Sequence, residues 1–371
     1  MPTNQVTKSR EQFIEELLAS NFTTYFAVTH PKYATGNKAF RFTPTPVSAA
    51  VPHSWQYADA RAKLFELGEL LTVEEAERRN INFVNPALKT FMPAATLTTL
   101  RGGIQLLLPG ERAYTHRHSA NAFRFVLEAP PTGAYTVVEG TKIPMHPGDL
   151  VLTPNWTWHD HHNDGDSHAI WYDGLDVLMA YMVGGVFSAE FKDRSGESGE
   201  SYQPVQRTAA LVERSYGAGL QHRQRFFPDH IPASNNPLTY YPYSRSRQTL
   251  QDLLDAGAGD PFEGVAVEYV NPITSGPTFP SMTTGLRMVA PKTTLEAMHR
   301  TENVIFITRE GSVTFQLPDN QTVTTSPFDV TAIPSWVPYT ITNNENEPAV
   351  LFSNSDRPLF EKLGFYRQAA V

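Results

Sequence analysis

The run HRHSANAFRFVLE, residues 116–128, decides the reading of this chain together with GDLVLTPNWTWHDHHND at 148–164. In the first run His116 and His118 flank Arg117 in a strand-like context. Alternate side chains of a strand share a face, so both imidazoles point one way and Arg117 the other. His159, from the second run, completes three imidazole ligands on a divalent metal, with open positions left for water, substrate or oxygen. Seven of the twelve histidines fall between 116 and 168. A lone histidine is ordinarily a satisfied interior or surface group; three at this spacing call for a metal. His146, His162 and His168 match no ligand position and read as turn or surface residues. His161, two places after His159, is aimed by period-two spacing at the same cavity as a proton donor or acceptor.

Counting in twos from His116 brings Arg124 to the cavity side if no bulge intervenes. A buried guanidinium needs an anionic partner. Two are open: an internal carboxylate such as Asp173 in IWYDGLD (170–176), or the carboxylate of a substrate held in a bidentate grip. Asp173 also reads as a simple turn residue before Gly174.

Outward from these runs, residues 96–185 consist of short Val, Ile, Leu, Thr and aromatic stretches between Gly, Pro and Asp turns, the texture of a sandwich or barrel. Upstream, 1–95 reads as a helical arm. Ser9 and Gln12 form a candidate capping box, a second helix runs from Gln56 to Leu67 with Gly68 to end it, and Thr72 with Glu75 caps a third. Thr43 to Pro52 is proline-rich and extended. Residues 186–264 are a mixed connector with a helix from Ser246 to Ala256, apolar enough at Tyr240, Tyr241, Pro242 and Tyr243 to pack on a barrel. A second β-rich stretch follows in 265–371. There Phe328, Asp329, Pro334, Trp336, Tyr339 and Asn343 repeat the spacing of Gly148, Asp149, Pro154, Trp156, His159 and Asn163, an internal duplication with a period of about 180 residues.

Composition narrows the function classes. With 371 residues, 40% hydrophobic and 18% charged, the chain holds two ordinary domains and enough apolar surface for their cores. A net charge of -8 without a Lys/Arg cluster excludes a phosphate-backbone partner. Absence of cysteine removes disulfides, thiolate ligands and a cysteine nucleophile. MPTNQVTKSREQF has no apolar core before a cleavage site, and no run is long enough to span a bilayer, so no membrane partner and a cytoplasmic location are expected.

Gly110, five residues, His-x-His, then Gly148-Asp149, Pro154-x-Trp156, His159 and Asn163 match the two cupin motifs, and the fold expected is mainly β: a bicupin of two tandem cupin barrels. The wording of these segments, with EEAERRNINFVNPAL (74–88), GGIQLLLPGE (102–111), IPSWVPYTI (333–341) and LFSNSDRPLFEKLGF (351–365), resembles the gentisate 1,2-dioxygenase family, which includes salicylate and 1-hydroxy-2-naphthoate ring-cleaving dioxygenases. The resemblance covers most of the chain. It implies Fe(II) on His116, His118 and His159, an aromatic carboxylic acid chelated through its carboxylate and ortho-hydroxyl, cleavage of the ring bond between them by O2, and a homotetramer. It also implies substrate contacts at Arg78 or Arg79, Arg124, His161 and Asp173, the arginines for the carboxylate and the other two for hydroxyl or proton handling. Arg78 reads equally as a helix C-terminal cation.

Two departures bear on the site. Ala122 stands where many cupins carry a glutamate ligand, so three histidines and no carboxylate are expected. Leu100-Arg101-Gly102-Gly103-Ile104-Gln105 replaces the Trp-Ala-Gly-like wall of relatives, so Arg101 either adds a positive group to the pocket or lies on the outer face. Arg101 and Gln105 are further candidate substrate contacts, and gentisate is the first substrate expected because its para-hydroxyl makes the ring electron-rich and easier to oxidise. In the second cupin Met298, Arg300 and Tyr339 occupy the ligand positions and His299 faces away, so that half is expected to be metal-free. Rival readings are a manganese oxidase or decarboxylase, which usually keeps the glutamate, a zinc hydrolase, and a non-catalytic metal- or ligand-binding cupin.

Overall fold

Local capping chemistry sets the first helices. Ser9 and Gln12 exchange side-chain and backbone hydrogen bonds at the start of helix Arg10–Ala19, and Thr72 and Glu75 do the same before helix Val73–Ala76. The computed structural model describes residues 8–30, 32–33, 42–76, 79–90, 92–191, 202–221 and 231–371. Residues 1–49 form one compact unit and 50–371 another. Among the described residues no helix is long and apolar enough to cross a membrane.

Each cupin is a pair of sheets. In the first, Tyr240–Tyr241, Leu150–Thr153, Ala122–Glu128, Ala169–Leu175, Arg101–Leu107 and Asn80–Asn82 make one sheet; Ser188–Glu190, Arg112–His118, His159–Asn163, Ala134–Val138, Thr141–Pro144 and Arg207–Thr208 make the other. In the second, His53–Trp55, Val330–Ile333, Val304–Glu310, Ala349–Ser355, Thr283–Val289 and Val265–Glu268 face a four-stranded sheet of Thr293–Leu295, Thr340–Asn343, Val313–Gln316 and Thr322–Thr325. The architecture is a bicupin. Val126, Val151 and Trp171 fill the first interior, and Phe306, Phe315 and Leu351 the second. Between the cupins the Phe352 ring stacks on Phe125 at 4.2 Å and meets Phe123 at 5.5 Å. Each such ring withdraws apolar area worth about 2–3 kcal/mol. A Cβ on Gly174 would stand 2.2 Å from the Phe123 ring, so this contact requires the glycine.

The duplication reaches beyond the paired sheets, and its arms are exchanged. His53–Trp55, early in the chain, pairs with Val330–Ile333 of the second cupin, whereas Tyr240–Tyr241 pairs with Leu150–Thr153 of the first. Residues 1–95, expected to be a helical arm with an extended stretch at 43–52, therefore include two strands, His53–Trp55 and Asn80–Asn82. Three-residue strands are too short to show a period in sequence.

Two helix boundaries also differ from expectation. The helix expected to end at Gly68 runs Tyr57–Leu70, and Gly68 lies inside it because a Cβ there would stand 3.1 Å from both Arg79 Nη1 and Leu106 Cδ2. The helix expected from Ser246 begins at Tyr243, whose N–H donates to Asp149 Oδ1 at 2.8 Å. A distant carboxylate satisfies an otherwise orphaned helix donor, a cap that local sequence cannot reveal.

Candidate metal centre

Strand Arg112–His118 places His116 and His118 on one face, and His116 pairs in register with His159 on the neighbouring strand. A tight turn delivers that neighbour. Trp156 takes φ +60° and donates its N–H to His118 O at 3.0 Å, which ties the segment before His159 to the end of the His118 strand. Trp336 repeats this with φ +65° and an N–H to Arg300 O. Left-handed backbone at a bulky residue costs about 1–3 kcal/mol and persists only where surrounding structure imposes it.

The three imidazoles converge. Ring centroids of His116 and His118 lie 4.3 and 4.9 Å from that of His159, and one nitrogen from each falls within 4.8 Å of the others. Each Nδ1 is held by a backbone carbonyl: His116 by Tyr114 O at 2.8 Å, His118 by Ala120 O at 2.9 Å and His159 by Thr157 O at 2.9 Å. Nδ1–H donation fixes the tautomer and presents Nε2 as ligand. Burial, with the neighbouring His116, Arg124, His118 and His161, holds the His159 pKa well below its ordinary value, so the ring is neutral and its lone pair available. Its buried Nε2 has no partner among the described residues. A divalent metal fits this donor set, and it is the one such cluster of metal-ligating groups among the described residues.

Arg117 faces outward and lies between two indoles, its guanidinium carbon 4.2 Å from the rings of Trp156 and of Trp158. Arg124, Asp173 and Gly103 sit opposite one another on three adjacent strands, one layer of the sheet. Arg124 Nε and Asp173 Oδ1 are 3.0 Å apart, and Arg124 also donates to Thr153 Oγ1. Burial lowers the Arg124 pKa and Asp173 opposes the shift. Asp173 is a strand residue, not a turn, and accepts from Trp171 Nε1 at 3.0 Å. The next layer sets Gln105 against Trp171; Gln105 is 1% exposed, and neither amide atom has a partner among the described residues. His161 is buried, with Nδ1 2.8 Å from Thr136 Oγ1 and its ring 5.9 Å from His159 and 5.1 Å from Trp171.

Other candidates take different places. Arg101 opens strand Arg101–Leu107 and donates from Nε to Asn82 Oδ1 at 2.7 Å. Arg79 departs from expectation: Asn80 opposes Gln105, so Arg79 is turned to the other face, where it pairs with Glu111 and donates to Gly68 O at 3.3 Å. Arg78 lies outside the described residues. His162, read as a surface group, is buried, bonded to Asp160 at 2.8 Å and stacked on Tyr135 at 4.5 Å. His146 is half exposed beside Asp149, and His168 meets Glu128 at 2.5 Å.

Sequence reading missed the support behind the ligands. Asp160 accepts from Thr115 at 2.5 Å and from Gln203 at 3.1 Å, joining the strands of His116 and His159 to the connector. Asp176 accepts from Asn121 N and Nδ2, each at 2.8 Å, and Asp356 accepts in the same way from Asn303, both at 2.7 Å. These Asn/Asp pairs stand at equivalent places in the two halves, so the duplication was the signal that could have found them. In the second cupin Arg300 and Arg287 are both bound by Glu263, and His299 stacks outward on Trp336 at 5.2 Å.

Fold and site together define a bicupin whose first half carries, among the described residues, a three-histidine cluster that could hold a metal. The cupin domain family matches residues 103–178 and again 285–354. Gentisate 1,2-dioxygenase 1 of Aquipseudomonas alcaligenes is 33% identical over 98% of this chain and 97% of its own length. The 1-hydroxy-2-naphthoate 1,2-dioxygenase of Nocardioides sp. (strain KP7) is 34% identical over 86% of this chain and 79% of its own. The crystal structure of salicylate 1,2-dioxygenase from Pseudoaminobacter salicylatoxidans in adduct with gentisate superimposes with a TM-score of 0.79 at 27% identity, covering 99% of this chain and 96% of that one. The chain belongs to the gentisate 1,2-dioxygenase family of ring-cleaving dioxygenases.

Proposed function

We propose that the first cupin is an Fe(II) site that cleaves gentisate between its carboxyl- and hydroxyl-bearing ring carbons, adding both atoms of O2 to give maleylpyruvate. The observation that carries this reading is the donor set: three imidazoles, that of His159 held neutral by burial, with Ala122 in place of a carboxylate, and a buried arginine beside them. Such a set leaves the charge of a divalent ion uncompensated and so favours an anionic chelating acid. Ferrous iron on His116, His118 and His159 would supply open positions for the acid and for oxygen, and the electrons that activate oxygen.

The surrounding residues bind, orient and move protons. Arg124 adds positive potential for the substrate carboxylate, and Asp173 holds its guanidinium in place. Gln105 offers the ring hydroxyls a buried amide whose donors and acceptor have no partner among the described residues. His161, set by Thr136, takes the ortho-hydroxyl proton at Nε2. Arg101 stands at the start of the same strand as Gln105 and narrows the choice of ring. The gentisate-named relative and the gentisate adduct of the salicylate enzyme support gentisate as substrate.

The homotetramer implied by the family belongs to this reading. Tyr181, Met182, Val183, Val186 and Phe187 lie exposed just before the strand Ser188–Glu190 that pairs with the ligand strand. Light scattering tests it, a monomer being the contrary result. The substrate assignment is tested by kcat/KM for gentisate, salicylate and 1-hydroxy-2-naphthoate. Gentisate should rank first; a higher value for either of the others overturns it.

A further inference from the structure

The second cupin has a cavity at the place where the first binds metal. Met298, Arg300 and Tyr339 take the ligand positions, and Arg287 stands where the first cupin has Gln105. The cavity measures about 370 Å³, and its lining includes Arg287, Arg300, Tyr339, Glu263, Glu302 and Val304. That volume lies in the range of small-molecule sites, roughly 300–1,000 Å³.

Arg287 is the key group. It is 7% exposed, its Nη2 donates to Glu263, and its guanidinium carbon lies 5.1 Å from the Phe306 ring. Its Nε and Nη1 are buried with no acceptor among the described residues. Buried charged donors without acceptors are costly, and the cavity beside them is where an acceptor can enter.

We infer that this cavity binds a small monocarboxylate, whose oxygens accept from Arg287 Nε and Nη1 while its apolar part lies against Tyr339 and Val304. Three arginines and three glutamates face the space: Arg287, Arg300 and Arg357 against Glu263, Glu268 and Glu302. Glu263 bridges Arg287 and Arg300, and Glu268 pairs with Arg357. A phosphate dianion would meet this carboxylate wall, whereas a monoanion meets less repulsion. Burial raises the Glu302 pKa and so moves that side chain toward its uncharged form. The inference is independent of the metal and of the ring-cleavage reading.

The test uses the metal-loaded full chain and 4-fluorobenzoate, followed by 19F NMR titration. A bound resonance is expected, with its dissociation constant raised about tenfold or more in Arg287→Met. If that variant melts below the parent, Ser353→Leu decides instead, since it fills the cavity and leaves the Glu263 pairs in place. Absence of a bound resonance, or parent-like affinity in the deciding variant, overturns the inference.

Discussion

The backbone N–H of Tyr57 donates to Asp329 Oδ1 at 2.7 Å, which joins the arm of the first cupin to the sheets of the second. Its counterpart runs the other way: Tyr243 N–H donates to Asp149 Oδ1 at 2.8 Å. The hydroxyls repeat the symmetry, Tyr57 to Glu128 and Tyr243 to Glu310, both at 2.6 Å, and Arg61 and Arg247 bind the same two glutamates. Each arm thus clamps both halves. Asp329 also accepts from Ser326 N at 2.8 Å, so Asp329→Ala leaves buried donors unsatisfied. A loss of about 1–3 kcal/mol is expected in denaturant unfolding, with metal content unchanged. An unaltered midpoint would show that the clamp contributes nothing.

How much of this was legible in the sequence follows from the range of each interaction. The cupin motifs and the Ser9 and Thr72 capping boxes are local patterns, and the spacing of His116, His118 and His159 encodes a strand face that the structure gathers into one cluster. The exchanged arms are not local. Strands Tyr240–Tyr241 and His53–Trp55 carry no period of their own, and Asp149 and Asp329 reach helix starts far along the chain. The repeat was nevertheless present in the arms, where Tyr57 and Arg61 keep the spacing of Tyr243 and Arg247. Burial of His162 and the turn of Arg79 away from Gln105 depend on neighbours supplied by other strands, Tyr135 and Glu111 among them.

Arg124 and Asp173 form a buried pair, so the two sides respond differently to substitution. Asp173→Asn strips the anion from a buried guanidinium and should lower stability by about 3–5 kcal/mol. Arg124→Lys keeps the charge and loses the planar fork; its expected effect is a raised KM for the aromatic acid. A parent-like KM would assign Arg124 to structure alone.

Burial pushes the Asp356 carboxyl from 3.8 up to about 7, against donors from Asn303 and Thr99. Between those values the folded chain holds a proton that the unfolded chain has released. Its contribution to stability is therefore complete below about pH 4 and is lost as pH rises through 7, with a slope of up to about 1.4 kcal/mol per pH unit. Asp356→Asn should flatten this part of the stability profile. An identical slope in parent and variant would locate the titration elsewhere.

Removing a ligand separates metal binding from folding. In His118→Ala the bound iron measured by elemental analysis should fall to background while the far-ultraviolet circular dichroism is kept, because the substitution removes one imidazole of the cluster at the last residue of strand Arg112–His118. Full retention of iron would show that the metal sits elsewhere.

Oxygen consumption tests the central claim most directly. The protein is reconstituted anaerobically with Fe(II) and mixed with gentisate, oxygen is admitted, and its uptake is followed together with the absorbance of the ring-opened product. One dioxygen consumed per gentisate, with product appearing in step, is the result expected; no uptake with gentisate, salicylate or 1-hydroxy-2-naphthoate would contradict ring cleavage at the three-histidine site.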